Sequence, residues 1–368
     1  MQIFRCRCGA TVFFENTQCL KCKRALGYLP DRQIMSPLEP SQANVFIAQI
    51  TESAGPAYHQ CRNYSDQNVC NWMIPAADQS PYCLACRLNK TIPDLGRPEN
   101  REYWSKIEAA KRRLVYSLLH LGLPVVSKQE DDKNGLAFAF LADSGGGNGG
   151  EQTTRVMTGH DNGLITLNVA EADEIEREQV RRQVKEAYRT LLGHFRHESG
   201  HYYWDRLVRG TPLEGPFRKL FGDERADYGE ALQRHYASGG NPSWQAQYIS
   251  VYASSHPWED WAETWAHYLH ISDTLETSAA VGISAEEGAD DIIDARLFSM
   301  GDLGRRPSGP RPGFAKILRE WAWLSVALNE LNRGMGMRDA YPFVLNEPVA
   351  RKLQFVHDVI ARSATPPK

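Results

Sequence analysis

Two histidines and a glutamate form the clearest chemical motif in the sequence, His197-Glu-Ser-Gly-His201. Residues four apart lie on one face of a helix, so His197 and His201 can offer two imidazoles to one cation. Glu198 would lie beside them, where its carboxylate can take a proton from a water molecule that zinc has made more acidic. Because the motif lies within a long helical pattern, it predicts a catalytic zinc site rather than two surface histidines.

A catalytic zinc needs a third protein ligand, and the segment after Ser255 contains two candidates. A helix is expected to begin there, because Pro257 suits the first helical position. Glu259 and Glu263 would then share one face, with one able to bind the metal and the other able to accept a hydrogen bond from a ligand histidine. The alternative is that both glutamates are solvated beside a core stripe of Trp258, Trp261 and Trp265. Such a stripe does not exclude a ligand on an adjacent face.

All eight cysteines lie before residue 90 and form two groups of four. The groups are Cys6, Cys8, Cys19 and Cys22, and Cys61, Cys70, Cys83 and Cys86. Each contains a C-x-x-C pair, the spacing that lets two sulfurs bind one tetrahedral ion. The first residues contain no apolar signal core, so we expect a cytoplasmic protein with reduced thiols. The cysteines therefore predict two structural zinc sites.

Cysteine pairs with this spacing also occur in redox centres and in iron–sulfur sites. A redox C-x-x-C pair belongs between a strand and a helix, whereas both pairs here lie in short, polar, turn-rich sequence. Iron–sulfur ligation stays open, because spacing alone does not exclude it. Segments this small bury little apolar surface, so we expect the metal to supply the folding energy.

The elements that would position the catalytic residues begin near residue 98. Apolar residues recur at helical spacing from Arg101 to Leu121, and helical patterns return over 172–208 and after Gly215. Strands are predicted at Leu136–Leu141 and Leu164–Val169, the second entered through a turn at 159–163. We expect the second strand to lie at a sheet edge, where it could pair with an extended peptide.

Composition narrows the function classes. With 42% hydrophobic residues the chain has enough apolar material for a core, which excludes a wholly disordered protein. The net charge of −3 provides no overall positive field for nucleic acid, and the longest apolar run, Leu136–Ala142, is too short to cross a membrane. A local basic cluster does surround the first cysteine group: Arg5, Arg7, Lys21, Lys23 and Arg24.

The histidine and glutamate motifs together resemble the gluzincin pattern of zinc metallopeptidases. In lethal-factor-like members a tyrosine precedes the ligand glutamate by seven residues, as Tyr252 precedes Glu259 here. The resemblance implies that Glu259 is the third ligand and that Glu263 supports a ligand histidine. It also implies that Tyr252 stabilises the oxyanion of the tetrahedral intermediate.

The whole chain resembles bacterial zinc-binding metallopeptidases that carry an N-terminal zinc ribbon. The resemblance rests on CxC…CLKC, CLACRLNKTIPDL, TGHDNGLITLN, LLGHFRHESGHYYWD and YASSHPWEDWAETWAHYLH. We therefore expect an α+β protein with two small four-cysteine zinc modules followed by a mostly helical, zincin-like domain with a small sheet. The expected domains are a zinc ribbon at 1–30, a second module with a connecting segment at 31–97, and the metallopeptidase domain at 98–368.

The predicted function is zinc-dependent hydrolysis of a peptide or protein substrate, with one catalytic and two structural Zn²⁺ ions. The alternative is a factor that docks on nucleic acid or protein through its zinc modules. Its HExxH domain would then be silent or activated by the partner, as in SprT-like proteases that act on DNA–protein crosslinks. The five basic residues near the first cysteine group favour docking, but the same charges are ordinary on a solvated surface.

Overall fold

The computed structural model describes residues 2–50, 55–143, 156–183, 189–284 and 313–363. The chain divides into two units, the first comprising Met1–His120 with Pro124–Phe195 and the second Leu121–Leu123 with Arg196–Lys368. Both four-cysteine groups lie in the first unit, whereas the HExxH motif and the two candidate glutamates lie in the second.

The first unit begins with small antiparallel sheets. Strand β1 (Phe4–Arg5) pairs with β2 (Thr11–Val12). A five-stranded sheet follows, made of β3 (Ala25–Leu29), β4 (Ile34–Gln42), β5 (Val45–Ala48), β6 (Ala57–Gln60) and β7 (Met73–Pro75). Because β3 and β4 pair directly, this sheet joins residues on both sides of position 30. The division into modules at 1–30 and 31–97 stays a prediction.

An aromatic cluster forms the core beside these strands. The rings of Phe14 and Tyr28 meet edge to face with centroids 4.8 Å apart, and those of Tyr28 and Trp72 are 4.9 Å apart. Tyr116 adds a ring 5.3 Å from Phe14. Such contacts contribute beyond the area they bury, which helps a region of short strands to hold its shape.

The first unit also contains a third sheet, of four strands, and the first helices of the chain. A short helix α1 (Arg62–Ser65) precedes β8 (Asn89–Thr91) and the long helix α2 (Pro98–His120). Strands β9 (Ala137–Leu141), β10 (Gly159–Asp161) and β11 (Leu164–Asn168) complete a sheet of order β10-β11-β9-β8. Helix α3 (Glu174–Gln183) comes next. The predicted helix after Arg101 and both predicted strands are confirmed.

Two expectations about this region are wrong. Strand β11 is not at an edge, because it pairs in parallel with β9 on one side and antiparallel with β10 on the other. The segment 159–163 is not all turn, since only Asn162 and Gly163, both with positive φ, connect β10 to β11. That two-residue hairpin turn matches the twist of the strands.

Among the described residues, the predicted helical stretch over 172–208 contains two α-helices. Helix α4 (Leu191–Leu207) begins after Thr190, whose hydroxyl accepts a hydrogen bond from the Gly193 backbone at 2.9 Å and so caps its first turn. Residues 189 and 190 are not helical. Residues 184–188 lie outside the described part of the chain.

The regular secondary structure of the described residues in the second unit is helical. The α-helices after α4 are α5 (Glu214–Phe221), α6 (Tyr228–Ser238), α7 (Pro257–Ala280), α8 (Phe314–Gly334) and α9 (Glu347–Ser363). None of the helices in the described part of the chain is long and apolar enough to span a membrane. The fold is therefore a mixed α/β one, with two four-cysteine groups before a helical region with a small sheet, as predicted.

Close packing of α4 against α7 brings the candidate ligands together. Trp261 and Trp265 are fully buried, and the Trp261 indole donates to the Gly200 carbonyl at 2.8 Å. A Cβ on Gly200 would lie 2.9 Å from the Ala262 backbone, so the glycine of the HESGH motif is required for this approach. Two of the three tryptophans of the predicted stripe are thus core residues, whereas Trp258 is only half-buried.

Candidate metal centres

The structure places each predicted cysteine group in one cluster. In the first group the sulfurs of Cys6 and Cys22 are 3.6 Å apart, as are those of Cys8 and Cys19. In each cluster the four sulfurs all lie within 4.8 Å of one another. The Arg24 backbone amide lowers the pKa of Cys22 to about 6, which favours the thiolate that binds metal. Four converging sulfurs are the donor set of structural zinc.

The second cluster is fully buried and lies against α2. The sulfur of Cys70 is 3.8 Å from that of Cys83 and 3.7 Å from that of Cys86. Glu108 of α2 approaches Cys86 at 3.9 Å, and the Arg112 guanidinium donates to the Val69 carbonyl. Sequence patterns did not indicate that α2 would contribute buried charges to this cluster.

The third cluster joins two helices of the second unit. His197 and His201 lie one turn apart on α4, with ring centroids 5.0 Å apart, and Glu259 lies in the first turn of α7. The Nε2 atom of His197 is 3.0 Å from Glu259 Oε2, and that of His201 is 3.5 Å from Glu259 Oε1. The structure therefore brings together the two histidines and the glutamate that the resemblance implies as a third ligand.

Hydrogen bonding determines which atoms of this cluster are available to a metal. The Nδ1 atom of His197 lies 2.7 Å from Glu263 Oε1, and an ionised carboxylate only accepts, so Nδ1 carries the proton. His197 Nε2 then presents a lone pair to Glu259 Oε2, another acceptor. Among the described residues, none makes a hydrogen bond to that buried oxygen.

Two acceptors 3.0 Å apart in a mostly buried site are stable only with positive charge between or beside them. Burial opposes a charge on His197, yet the adjacent carboxylates of Glu259 and Glu263 raise its pKa well above the ordinary value, so the site attracts a positive charge at Nε2, from a proton or from a metal ion. Burial likewise opposes the Glu259 carboxylate, but His201 and His197 hold its pKa well below the ordinary value. Two imidazoles and one carboxylate are a donor set that suits catalytic zinc and leaves a coordination position open. The residues present fit such an ion.

The other predicted site residues surround this cluster. Glu263 uses its second oxygen to accept a hydrogen bond from Ser250 at 2.7 Å. Glu198 is buried, which raises its pKa, although the nearby charges of His197 and His201 act in the opposite direction. The ring centroid of Tyr252 lies 6.0 Å from that of His197, in a short turn directly before α7.

Two aromatic neighbours of the cluster were not predicted. The Tyr228 hydroxyl donates to Glu259 Oε1 at 2.6 Å, and the Trp258 ring lies over His201 with centroids 3.9 Å apart. Tyr228 and Glu259 are 31 residues apart in sequence, and no periodic pattern connects them. The expected start of α7 is confirmed, since His256 caps it by accepting from the Trp258 backbone at 3.1 Å.

Comparison with known proteins gives a consistent result. A family model described as "Putative zinc-binding metallo-peptidase" matches residues 100–359, and a zinc-ribbon domain model matches residues 3–97. Uncharacterized proteins from Mycobacterium bovis and Mycobacterium tuberculosis are 38% identical over 367 residues, covering 98% of this chain and 95% of each relative. No solved structure matches.

Proposed function

The chain belongs to the zinc-binding metallo-peptidase family, and on that premise we propose that it hydrolyses peptide bonds with zinc as its cofactor. The main support for the proposal is that His197, His201 and Glu259 lie close enough to bind one ion, with Glu198 one residue from the first ligand. The arrangement corresponds to the gluzincin type, and the substrate is a peptide or protein.

Each residue has a stated role in this proposal. His197, His201 and Glu259 would hold the ion, and Glu263 would keep the His197 ring in the tautomer that leaves Nε2 free. When bound, zinc supplies Lewis acidity that polarises a carbonyl and lowers the pKa of a water molecule toward neutrality. Glu198 takes the proton from the attacking water and passes it to the leaving amine. Burial raises its pKa, which makes the carboxylate a stronger proton acceptor than an exposed glutamate.

Tyr252 is the proposed hydrogen-bond donor to the carbonyl oxygen as negative charge develops on it. Burial raises the pKa of Tyr252 well above its ordinary value, and the Glu259 carboxylate raises it further. The phenol therefore keeps its proton at neutral pH and remains able to donate.

The first test is a metal count on the purified protein. We propose three zinc ions per chain, one at the histidine–glutamate cluster and two at the cysteine clusters. His197→Ala should lower the count by one and leave the cysteine-bound ions in place. A count that stays the same in this variant would contradict the proposed ligand set.

The second test separates metal binding from chemistry. Glu198→Gln keeps the side-chain size but removes the base, so it should retain zinc and lose on the order of 10²–10⁴-fold in the rate of cleaving a peptide library. Wild-type cleavage rates in this variant would exclude Glu198 as the base. No cleavage by the fully metallated wild-type protein across the library would count against the peptidase proposal itself.

The exposed basic cluster supports a second candidate function, docking on nucleic acid. Around the first cysteine group, five basic side chains are exposed: Arg5, Arg7, Lys21, Lys23 and Arg24. The apolar side chain of Leu20 is also 81% exposed there. Salt-dependent binding of the full chain to DNA or RNA, lost in a Lys21→Glu/Lys23→Glu variant, would support docking. Binding that does not change with salt would oppose it.

The cysteine clusters also support a cytoplasmic location. None of the eight cysteines is in a disulfide and they form two clusters that could hold metal ions, an arrangement that suits a reducing compartment.

A further inference from the structure

Tyr228 makes a hydrogen bond to a proposed zinc ligand, although the proposed mechanism gives Tyr228 no role. Its hydroxyl donates to Oε1 of Glu259 at 2.6 Å, while Oε2 of the same carboxylate faces His197 Nε2 at 3.0 Å. The two oxygens of Glu259 thus differ: Oε1 accepts the phenol proton and lies 3.5 Å from His201 Nε2, whereas Oε2 accepts no hydrogen bond from any described residue. A carboxylate held in this way offers one oxygen to a metal and keeps the other occupied.

We propose that Tyr228 is a positioning residue that holds Glu259 as a one-oxygen zinc ligand. Without the phenol, the Glu259 carboxylate could rotate or offer both oxygens to the ion. Two oxygens from one side chain would occupy the coordination position that a catalytic zinc keeps open. The inference rests on the metal site of the proposed function, but not on peptide hydrolysis.

Several contacts fix the phenol in place. Tyr228 is the first residue of α6, and the Asp227 side chain caps that helix by accepting from the Glu230 backbone at 2.8 Å. The His256 imidazole, which caps α7, accepts the Trp258 amide at Nδ1, so its Nε2 carries the proton and donates to the Ala226 carbonyl at 3.1 Å. The start of α6 is therefore tied to the start of the helix that carries Glu259.

Ring contacts add to this restraint. The Tyr228 ring meets His256 edge to face with centroids 5.3 Å apart, and it meets Trp258 in the same manner at 5.9 Å. Trp258 in turn lies over the His201 imidazole. Although Tyr228 is 38% exposed, its ring belongs to an aromatic group that contacts two of the three candidate ligands, and these contacts hold its hydroxyl toward Glu259.

The test compares Tyr228→Phe with the wild-type protein. The substitution removes one oxygen and keeps the ring, so we expect the fold to survive. Loss of a hydrogen bond to a metal ligand typically costs about 10–100-fold in metal affinity. We expect the zinc dissociation constant of the histidine–glutamate site, measured by chelator competition, to rise by that factor. His197→Ala identifies which zinc equivalent belongs to this site.

Cobalt substitution tests whether Tyr228 affects the metal site itself. If Tyr228 only stabilised the fold, replacing it would leave the cobalt spectrum unchanged. Co²⁺ at a site of two imidazoles and a carboxylate absorbs through weak d–d bands, whose shape depends on coordination number, whereas cysteine-bound Co²⁺ shows strong thiolate bands. In Tyr228→Phe the d–d bands of the histidine–glutamate site should change while the thiolate bands stay the same. The unfolding temperature of the chelator-treated protein should not change.

The matched control is Tyr236→Phe, because Tyr236 lies on the same helix with a side chain that is 66% exposed. It should leave both the zinc affinity and the cobalt spectrum as in wild type. An unchanged zinc affinity and spectrum in Tyr228→Phe would overturn the inference. Because neither measurement uses a peptide, a failure of the peptidase proposal would appear separately, as a metallated protein that cleaves nothing.

Discussion

At the scale of single residues, the two glutamates of α7 are distinguished by their hydrogen bonds. Glu263 accepts from His197 Nδ1 with one oxygen and from Ser250 with the other. Glu259 keeps one oxygen without a hydrogen bond from any described residue, facing His197 Nε2. Spacing alone left the two glutamates equivalent, whereas these contacts favour Glu259 as the ligand and Glu263 as the support. Their roles remain predictions until metal binding is measured.

If Glu259 is a zinc ligand and Glu263 only supports His197, replacing each residue should reduce zinc binding by a different amount. Glu259→Ala removes a ligand, so the protein should lose the zinc of this site. Glu263→Ala removes only a hydrogen bond to a ligand, so zinc affinity should fall by about 10–100-fold. Chelator competition measures both effects. Ser250→Ala, which removes a partner of Glu263 and not of the histidine, should have the smallest effect, and the opposite order would exchange the roles of the glutamates.

At the scale of elements, α2 contributes buried charges next to the second cysteine cluster. Glu108 and Lys111 form an ion pair with no exposure to solvent, with Nζ 2.9 Å from Oε2. Arg112 is also buried; burial opposes its charge, but the neighbouring cysteine sulfur of Cys70 and the Glu108 carboxylate raise its pKa. Four thiolates around one Zn²⁺ leave a net charge of −2, which the single positive charge of a buried guanidinium reduces.

Removing the charge of Arg112 should therefore weaken the second cluster. We expect Arg112→Leu to release zinc from this cluster about 10–100-fold more readily to a competing chelator, as for other supporting contacts of metal ligands. Arg113→Leu is the matched control, because the neighbouring Arg113 is partly exposed and pairs with Glu15. Equal zinc release in the two variants would show that the buried charge is not required.

Two histidines of α7 have lowered pKa values, which predict how acid changes the stability of the second unit. Burial lowers the pKa of His267 to about 4 and that of His270 to about 3. His267 contacts the Tyr341 hydroxyl at 2.7 Å, and the His270 ring lies 5.8 Å from that of Trp321. Between about pH 6.5 and these lowered pKa values, both side chains are therefore neutral in the folded protein, whereas a histidine in the unfolded chain is protonated.

The sign of the pH dependence follows from these lowered values. Below about pH 6.5 the unfolded chain takes up protons that the folded chain does not, so the free energy of unfolding should fall as the pH decreases toward 4. The His270 contribution between pH 7 and 5 is about 2 kcal/mol. Denaturant unfolding of His270→Gln should show a shallower pH slope than wild type. A wild-type slope in His270→Gln would contradict the prediction.

At the scale of the whole molecule, each candidate metal site takes all of its ligands from a single unit. The cysteine clusters belong to the first unit, and the histidine–glutamate cluster to the second. Units with separate cores and separate ligands need not unfold together. We therefore expect two thermal transitions, each responding to removal of its own metal.

Calorimetry of Glu259→Ala checks this expectation. Zinc at about 1,000 times its dissociation constant stabilises a protein by about 4 kcal/mol, and for a domain of this size that corresponds to a shift on the order of 10 °C. Only the transition of the second unit should move down by this amount. Cys83→Ser should instead lower the other transition, because it removes a ligand from the second cysteine cluster. A single transition that moves in both variants would contradict independent unfolding.

The sequence by itself determined the donor types and their grouping. Four-residue spacing on a helix and C-x-x-C pairs are local, so HExxH and the two cysteine groups could be identified without a fold. Helices and strands with strong periodicity were predicted for the same reason, including the start of α7 at Pro257. Local patterns thus defined the chemistry and most of the elements that carry it.

Only the tertiary structure decided which partners those donors meet. Three features of the structure depend on residues that are distant in sequence. They are the contact of Tyr228 with Glu259, the α2 charges at the second cluster and the internal position of β11. No periodicity specifies such contacts, because they depend on how helices and strands pack. The close approach at Gly200 shows the physical reason, since one missing Cβ lets α4 and α7 bring two imidazoles and a carboxylate to the same place.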